Sequence, residues 1–246
     1  MRSLILGLAI LLLTGCPEKV LTIDEVGLCD RSSSSGTCTE DSVRREADAF
    51  LEANPSPGSR FTVLIVGCGI EDVARQYEIR VPDRWGRGAV KKKRGWQEEE
   101  RRRLATLVLP AVNQCSDVSA GLWRAARLLA ERTNSIRQLV VISDLREVSH
   151  SLGINFERKV SAPADFVAKL RAAQLLADLS GVQMRVCGVH DRATPDAPTW
   201  TARKAQQLHL AWTAALAAMG NPDVRMTESC DFRNARNSSA LAQGGR

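Results

Sequence analysis

The sequence predicts an α/β domain with a mainly parallel central sheet and helices on both faces. Three observations lead there. Leu122, Ala125, Ala126, Leu129 and Ala130 recur at helical spacing, with Arg124, Arg127, Glu131 and Arg132 between them to face solvent. After the break at Asn134-Ser135, Leu139 to Ile142 form an unbroken β-prone run, the pattern of a strand covered on both faces. Similar runs, Phe61 to Val66 and Val182 to Val189, stand apart from it by helix-sized segments. Such βα units build a parallel sheet, and right-handed crossovers put helices on both of its sides.

In chain order, Arg2 and the apolar run Leu4 to Leu13 have the length of a signal peptide and are too short to span a bilayer. Leu13-Thr14-Gly15-Cys16 follows and resembles a bacterial lipobox. That resemblance implies a signal peptide at 1–15, cleavage before Cys16, and lipid on Cys16 with palmitate-type acyl chains. Pro17 at the next position resembles lipoproteins sent to an outer membrane, facing the periplasm. Residues 16–58 are read as a lipidated tether with a small stapled loop, Cys29 to Cys38, and a helix from Glu40 to Glu52 ended by Asn54-Pro55-Ser56-Pro57-Gly58.

The folded domain is expected over 59–232. Phe61 to Val66 is its first strand, and the turn Gly67-Cys68-Gly69 follows. Arg75 to Val81 has weak strand character, and Leu104 to Val112 fits either a short helix or a strand. Ser119 is the expected N-cap of the central helix. Beyond Ile142 the chain enters a polar loop with Asp144, Arg146, Glu147 and His150. A second helical region runs from Ser161 through Leu179. His190-Asp191 then follow the strand Val182 to Val189. A long helix covers Thr199 to Met219, Gly220-Asn221-Pro222 stops it, and Val224 to Met226 form a last strand. Residues 233–246 read as a disordered tail. Trp123, Trp200 and Trp212 are expected to pack on helices, with Trp85 and Trp96 exposed.

Setting Cys16 aside leaves six of the seven cysteines, an even number that suggests disulfides in an exported chain. Cys29 and Cys38 close a short Ser/Gly loop. Cys68 follows a strand and Cys115 precedes the central helix, which places both at one sheet edge. Cys187 and Cys230 would then pair, although Cys187 lies within a strand, where a buried free thiol is the alternative. No CxxC spacing of a zinc or redox site occurs.

The net charge of +6 would suit nucleic acid, but export argues against that partner. Much of the charge is local: Arg84, Arg87, Lys91 to Arg94 and Arg101 to Arg103, with Glu98 to Glu100 interposed. This stretch is either a solvated loop and helix start or a patch for anionic lipid headgroups or an acidic partner.

The order of elements, with SDVSAGLWRAARLLAE before QLVVISDLRE and VQMRVCGVHD, resembles the von Willebrand factor A-like fold with its Rossmann-type layering. Members that bind a divalent cation use an Asp-x-Ser-x-Ser turn after the first strand, an oxygen ligand before a central helix, and an Asp after the fourth strand. On this resemblance Asp144 matches the last and Ser116 or Asp117 the second. Gly67-Cys68-Gly69-Ile70-Glu71 stands after the expected first strand, so the resemblance implies a degenerate site without metal, and a Cys68–Cys115 bridge would tie the loops a metal otherwise joins. The candidate ligand residues are Ser116, Asp117, Asp144, His190 and Asp191. The expected function is a membrane-anchored, non-catalytic protein-binding module of the cell envelope, without cofactor or small-molecule substrate. Two alternatives stand beside it. One is an envelope hydrolase or metal-dependent enzyme using Asp144, Glu147, His150, His190 and Asp191; no GxSxG or HExxH motif supports it. The other is a structural lipoprotein with a basic membrane-facing patch.

Overall fold

The computed structural model describes residues 21–32, 35–112, 114–131, 135–189, 200–228 and 230. Its elements follow one another as β1 (Thr22–Asp30), α1 (Glu40–Glu52), β2 (Arg60–Val66), a 3₁₀ turn at Ile70–Asp72, β3 (Ala74–Arg80), α2 (Ala89–Ala105) and α3 (Val118–Ala130). β4 (Ser135–Ile142), β5 (Val148–Ser149), β6 (Ile154–Asn155), α4 (Pro163–Ala172), β7 (Gln183–Cys187), α5 (Ala202–Ala218) and β8 (Arg225–Thr227) complete the order. Six strands form one sheet in the order β3-β2-β1-β4-β7-β8, parallel throughout except for the antiparallel edge strand β3.

The strand that anchors this sheet is one the sequence reading placed in a tether. β1 lies at the centre, paired along its length with β2 on one side and β4 on the other. Its charged residues hide it. Asp24 and Glu25 break the apolar run yet are buried, and Asp24 is matched by the Arg60 guanidinium 3.1 Å away. An ion pair inside the sheet replaces the apolar residues that a buried strand normally shows. The domain therefore begins at β1, not at residue 59, and Phe61 to Val66 belong to the second strand.

Two cores cover the faces. On one, α3, α4 and α5 pack Leu122, Leu129, Phe166, Leu208 and Trp212 against Val26, Leu28, Val141 and Val186. On the other, α1 and α2 pack Val43, Phe50, Leu51 and Leu104 against Phe61, Ile65, Val140 and Ile142. α1 matches the expected Glu40–Glu52, begun by a reciprocal capping box between Thr39 and Ser42. α2 turns the basic stretch into a helix, and Leu107 and Leu109 follow it as buried irregular chain. Trp85 and Trp96 are half-buried, edge to face at 5.5 Å, rather than exposed. α3 is capped by Asp117, whose Oδ1 accepts from the Ala120 N–H at 3.0 Å, so Ser119 sits inside the first turn. The segment after Asp144 is not a solvated loop. It folds back as the β5–β6 hairpin, and Leu145, Glu147 and Phe156 are buried.

The second helical region is shorter than expected, because α4 ends at Ala172 and Gln174 takes a left-handed φ of 60°. The disulfides are Cys29–Cys38, Cys68–Cys115 and Cys187–Cys230, with Cα separations of 5.5, 5.2 and 5.1 Å. Among the described residues no helix is long and apolar enough to cross a membrane. The signal segment with Cys16, and the tail at 233–246, lie outside the described residues.

Candidate cation-binding site

From β1 the chain crosses to β2 on one side, and the later crossovers reach β4 on the other. Where crossovers diverge, the carboxyl ends of two neighbouring strands open a crevice, the usual ligand position in such sheets. The last residue of β1 is Asp30, and the residues after β4 are Ser143 and Asp144. The loop before α3 brings Ser116 to the same place.

Asp30, Ser116 and Ser143 form one buried hydrogen-bonded cluster, and buried Asp144 follows Ser143 in the chain. Asp30 is 1% exposed. Its Oδ2 accepts from Ser116 Oγ at 2.8 Å and from Ser143 Oγ at 2.7 Å, and its Oδ1 accepts from the Ser32 N–H at 3.0 Å. Burial is the main influence on the carboxyl and raises its pKa; the hydrogen bonds from Ser143, Ser116 and Ser32 pull the other way. Asp144, 2% exposed, accepts from the Arg146 N–H at 3.0 Å and lies 3.5 Å from that residue's guanidinium. The guanidinium in turn stacks 4.2 Å over the Trp200 ring.

Two acids lie behind this cluster. Asp117 Oδ2 accepts from Ser149 Oγ at 2.7 Å, which joins the β5–β6 hairpin to the start of α3. Glu147 is fully buried, and its Oε2 accepts from the Ser119 N–H at 3.2 Å. Desolvation, and then the charge of Asp117, push its carboxyl well above the ordinary carboxylate range. It therefore serves α3 from within, and His150 is exposed at the surface. The acid–base set of the enzyme alternative is thus not assembled from these two residues, while His190 and Asp191 lie outside the described residues.

Moving the first strand to β1 also moves the turn that follows it. The five residues from the end of β1 read Asp30-Arg31-Ser32-Ser33-Ser34, the Asp-x-Ser-x-Ser pattern that Gly67 to Glu71 lack. Gly67 to Glu71, on which the expected degeneracy rests, follow β2 and not the first strand. Ser33 and Ser34 lie outside the described residues, but Asp30 and Ser32 flank an Arg31 that turns away to pair with Glu40 at 2.9 Å. The donor set is all oxygen: carboxylates of Asp30 and Asp144 and hydroxyls of Ser32 and Ser116. Such donors suit a hard divalent cation such as Mg²⁺ or Mn²⁺. A cation there would offset the burial that penalises the charged Asp30 carboxyl, so the residues present fit one.

Each disulfide flanks a strand end or loop of this region. Cys29 and Cys38 bracket the Asp30 turn, Cys115 precedes Ser116, and the Cys187 carbonyl accepts from the Ser143 N–H at 2.9 Å.

No family model matches the chain, and no curated protein sequence matches it. Solved structures do. The pilus adhesin SpaC from Lactobacillus rhamnosus GG matches at 12% identity with a TM-score of 0.52, covering 92% of this chain and 30% of its own. A von Willebrand factor type A protein from Catenulispora acidiphila matches at 15% identity with a TM-score of 0.46, covering 91% of this chain and 43% of its own. An aerotolerance-related membrane protein from Bacteroides fragilis matches at 11% identity with a TM-score of 0.45, covering 89% and 97%. The fold is that of a von Willebrand factor A-like domain. The chain spans less than half of the adhesin and of the Catenulispora protein.

Proposed function

We propose that this chain is a membrane-anchored, non-catalytic protein-binding module of the cell envelope, whose binding surface is the Asp30 end of the sheet and depends on a divalent cation. The observation that carries this reading is the meeting of Asp30, Ser116 and Ser143-Asp144 at the divergence between β1 and β4. Asp30, Ser32, Ser116 and Asp144 would hold the ion. A bound Mg²⁺ or Mn²⁺ supplies a Lewis acid that a partner's carboxylate can complete. The protein's part is orientation: Asp30 holds Ser116 and Ser143 in place, and Arg146 holds Asp144. The β5–β6 hairpin adds a rim, forming with α4 a cleft lined by Arg158, Lys159, Asp165 and Lys169. The pilus adhesin on the same fold agrees with a binding role.

The Leu13 to Cys16 motif supports anchoring through acylated Cys16. Mass spectrometry of the mature chain tests it, since an unmodified Cys16 removes this part of the reading. For the binding part, full-length protein is extracted in mild detergent with Mg²⁺ or with EDTA. Partner recovery should fall at least tenfold in EDTA and in Asp144→Ala, a loss of the size expected for one ligand of a metal site. Equal recovery in all samples would sink it.

A further inference from the structure

The opposite end of the molecule carries a second surface. Between residues 79 and 97 the only acid is Asp83, against Arg80, Arg84, Arg87, Lys91, Lys92, Lys93 and Arg94. Arg84, Arg87, Lys91 and Lys92 are exposed, and among the described residues none of the four makes an ion pair. Amid them Val90 is 86% exposed. Trp85 and Trp96 pack together behind the patch, so it sits on a fixed base. Lys91 and Lys92 do not serve the helix that bears them. α2 has no acid in its first turn, and lysines there oppose its dipole.

Position adds the second argument. The Gly58 N–H donates to the Val81 carbonyl at 3.2 Å, and a methyl group on Gly58 would sit 3.4 Å from Asp83 Oδ1 and 3.6 Å from Thr22 Cγ2. Lys93 Nζ reaches the Pro55 carbonyl at 3.5 Å. The approach to α2 and the start of β1 therefore share one end of the sheet, while Asp30 stands at the other end of β1. Thr22 lies only six positions after Cys16, a reach of at most about 20 Å.

We propose that the surface of Arg84, Arg87, Lys91 and Lys92 around Val90 docks on anionic lipid headgroups, and so holds the Asp30 end facing away from the membrane. The orientation rests on the anchor reading above; the surface itself does not. Lysine-rich patches without exposed aromatic anchors are poor in the features of protein interfaces, whereas clustered Lys and Arg attract anionic headgroups strongly.

The test uses full-length acylated protein in vesicles of phosphatidylcholine, with and without phosphatidylglycerol. Amide exchange over residues 84–95 should slow about tenfold or more only with phosphatidylglycerol. The effect should vanish in about 0.5 M salt, where screening is short-ranged. Lys91→Glu with Lys92→Glu should abolish the protection without lowering Tm, because acids favour a helix start. Equal exchange on both vesicles overturns the proposal. Protection by polyglutamate but not by phosphatidylglycerol overturns it in favour of an acidic protein. Release of the chain from both vesicle types would fail the anchor reading alone. Flotation of that unacylated chain with phosphatidylglycerol vesicles then supports the surface, and failure to float overturns it.

Discussion

Asp30 and Glu147 are two buried carboxyls with different tasks. Asp30 accepts from two hydroxyls and one backbone N–H, so Asp30→Ala strands Ser116 and Ser143. It should cost about 1–3 kcal/mol of stability. It should also erase the rise in Tm expected of the parent protein with Mn²⁺; saturation a hundredfold above Kd corresponds to about 2.7 kcal/mol. A parent protein whose Tm ignores Mn²⁺ and Mg²⁺ alike would contradict the cation reading. For Glu147 the folded chain keeps a proton that the unfolded chain releases above the ordinary value of 4.5. Stability is then full below that value and falls as pH rises toward the raised one. Glu147→Gln retains an acceptor for the Ser119 N–H and a donor toward Asp117, and loses the charge. Denaturant titrations from pH 4 to 8 should show the decline in the parent protein and a flatter profile in the variant.

Between elements the site is held by a few close contacts. Gly121 lets α3 lie directly on the sheet: a methyl group there would meet Leu28 Cδ1 at 2.9 Å and Val66 Cγ2 at 3.1 Å. Gly121→Ala should therefore destabilise by about 1–3 kcal/mol, read as a lower urea midpoint at unchanged slope. The disulfides separate stability from site geometry. Chain entropy assigns about 4 kcal/mol to Cys68–Cys115 and about 2.5 to Cys29–Cys38, from sequence separations of 47 and 9. Removing the longer bridge should lower Tm more, and removing the shorter one should weaken Mn²⁺ binding more, because Asp30 lies inside its loop. Calorimetry and metal titration of the two double Ala variants would show whether the orders cross. These elements also explain what the sequence disclosed. α3 shows through apolar residues at helical spacing, and β4 and β7 show through β-prone runs. β1 does not, because the buried Asp24 and Glu25 break its apolar run, and Asp24 is compensated by Arg60, 36 residues along the chain. With β1 hidden, Asp30 and Ser32 fall in a Ser/Gly loop of the sequence, while Ser116 and Asp144 are placed by the legible α3 and β4 beside them. An Asp-x-Ser-x-Ser run beginning at the last residue of a nine-residue segment with Val26 and Leu28 was the available signal.

For the molecule as a whole, the sheet separates two surfaces. β1 spans nine residues, so the crevice stands about 30 Å from the end that bears the basic patch. A partner bound through Asp30 and a tether before Thr22 would pull on opposite ends of the same strand. β1 is hydrogen-bonded along both edges to parallel neighbours, so such a load acts along the strand and across many bonds at once. Thr22 and Arg80 lie instead at one end, and tension between them would open the β2–β3 pairing bond by bond. Single-molecule stretching should accordingly meet a higher rupture force in the first geometry than in the second. A chain joined to its surroundings this way would resist being pulled open by flow or growth, a mechanical property set by strand order rather than by the strength of any one contact.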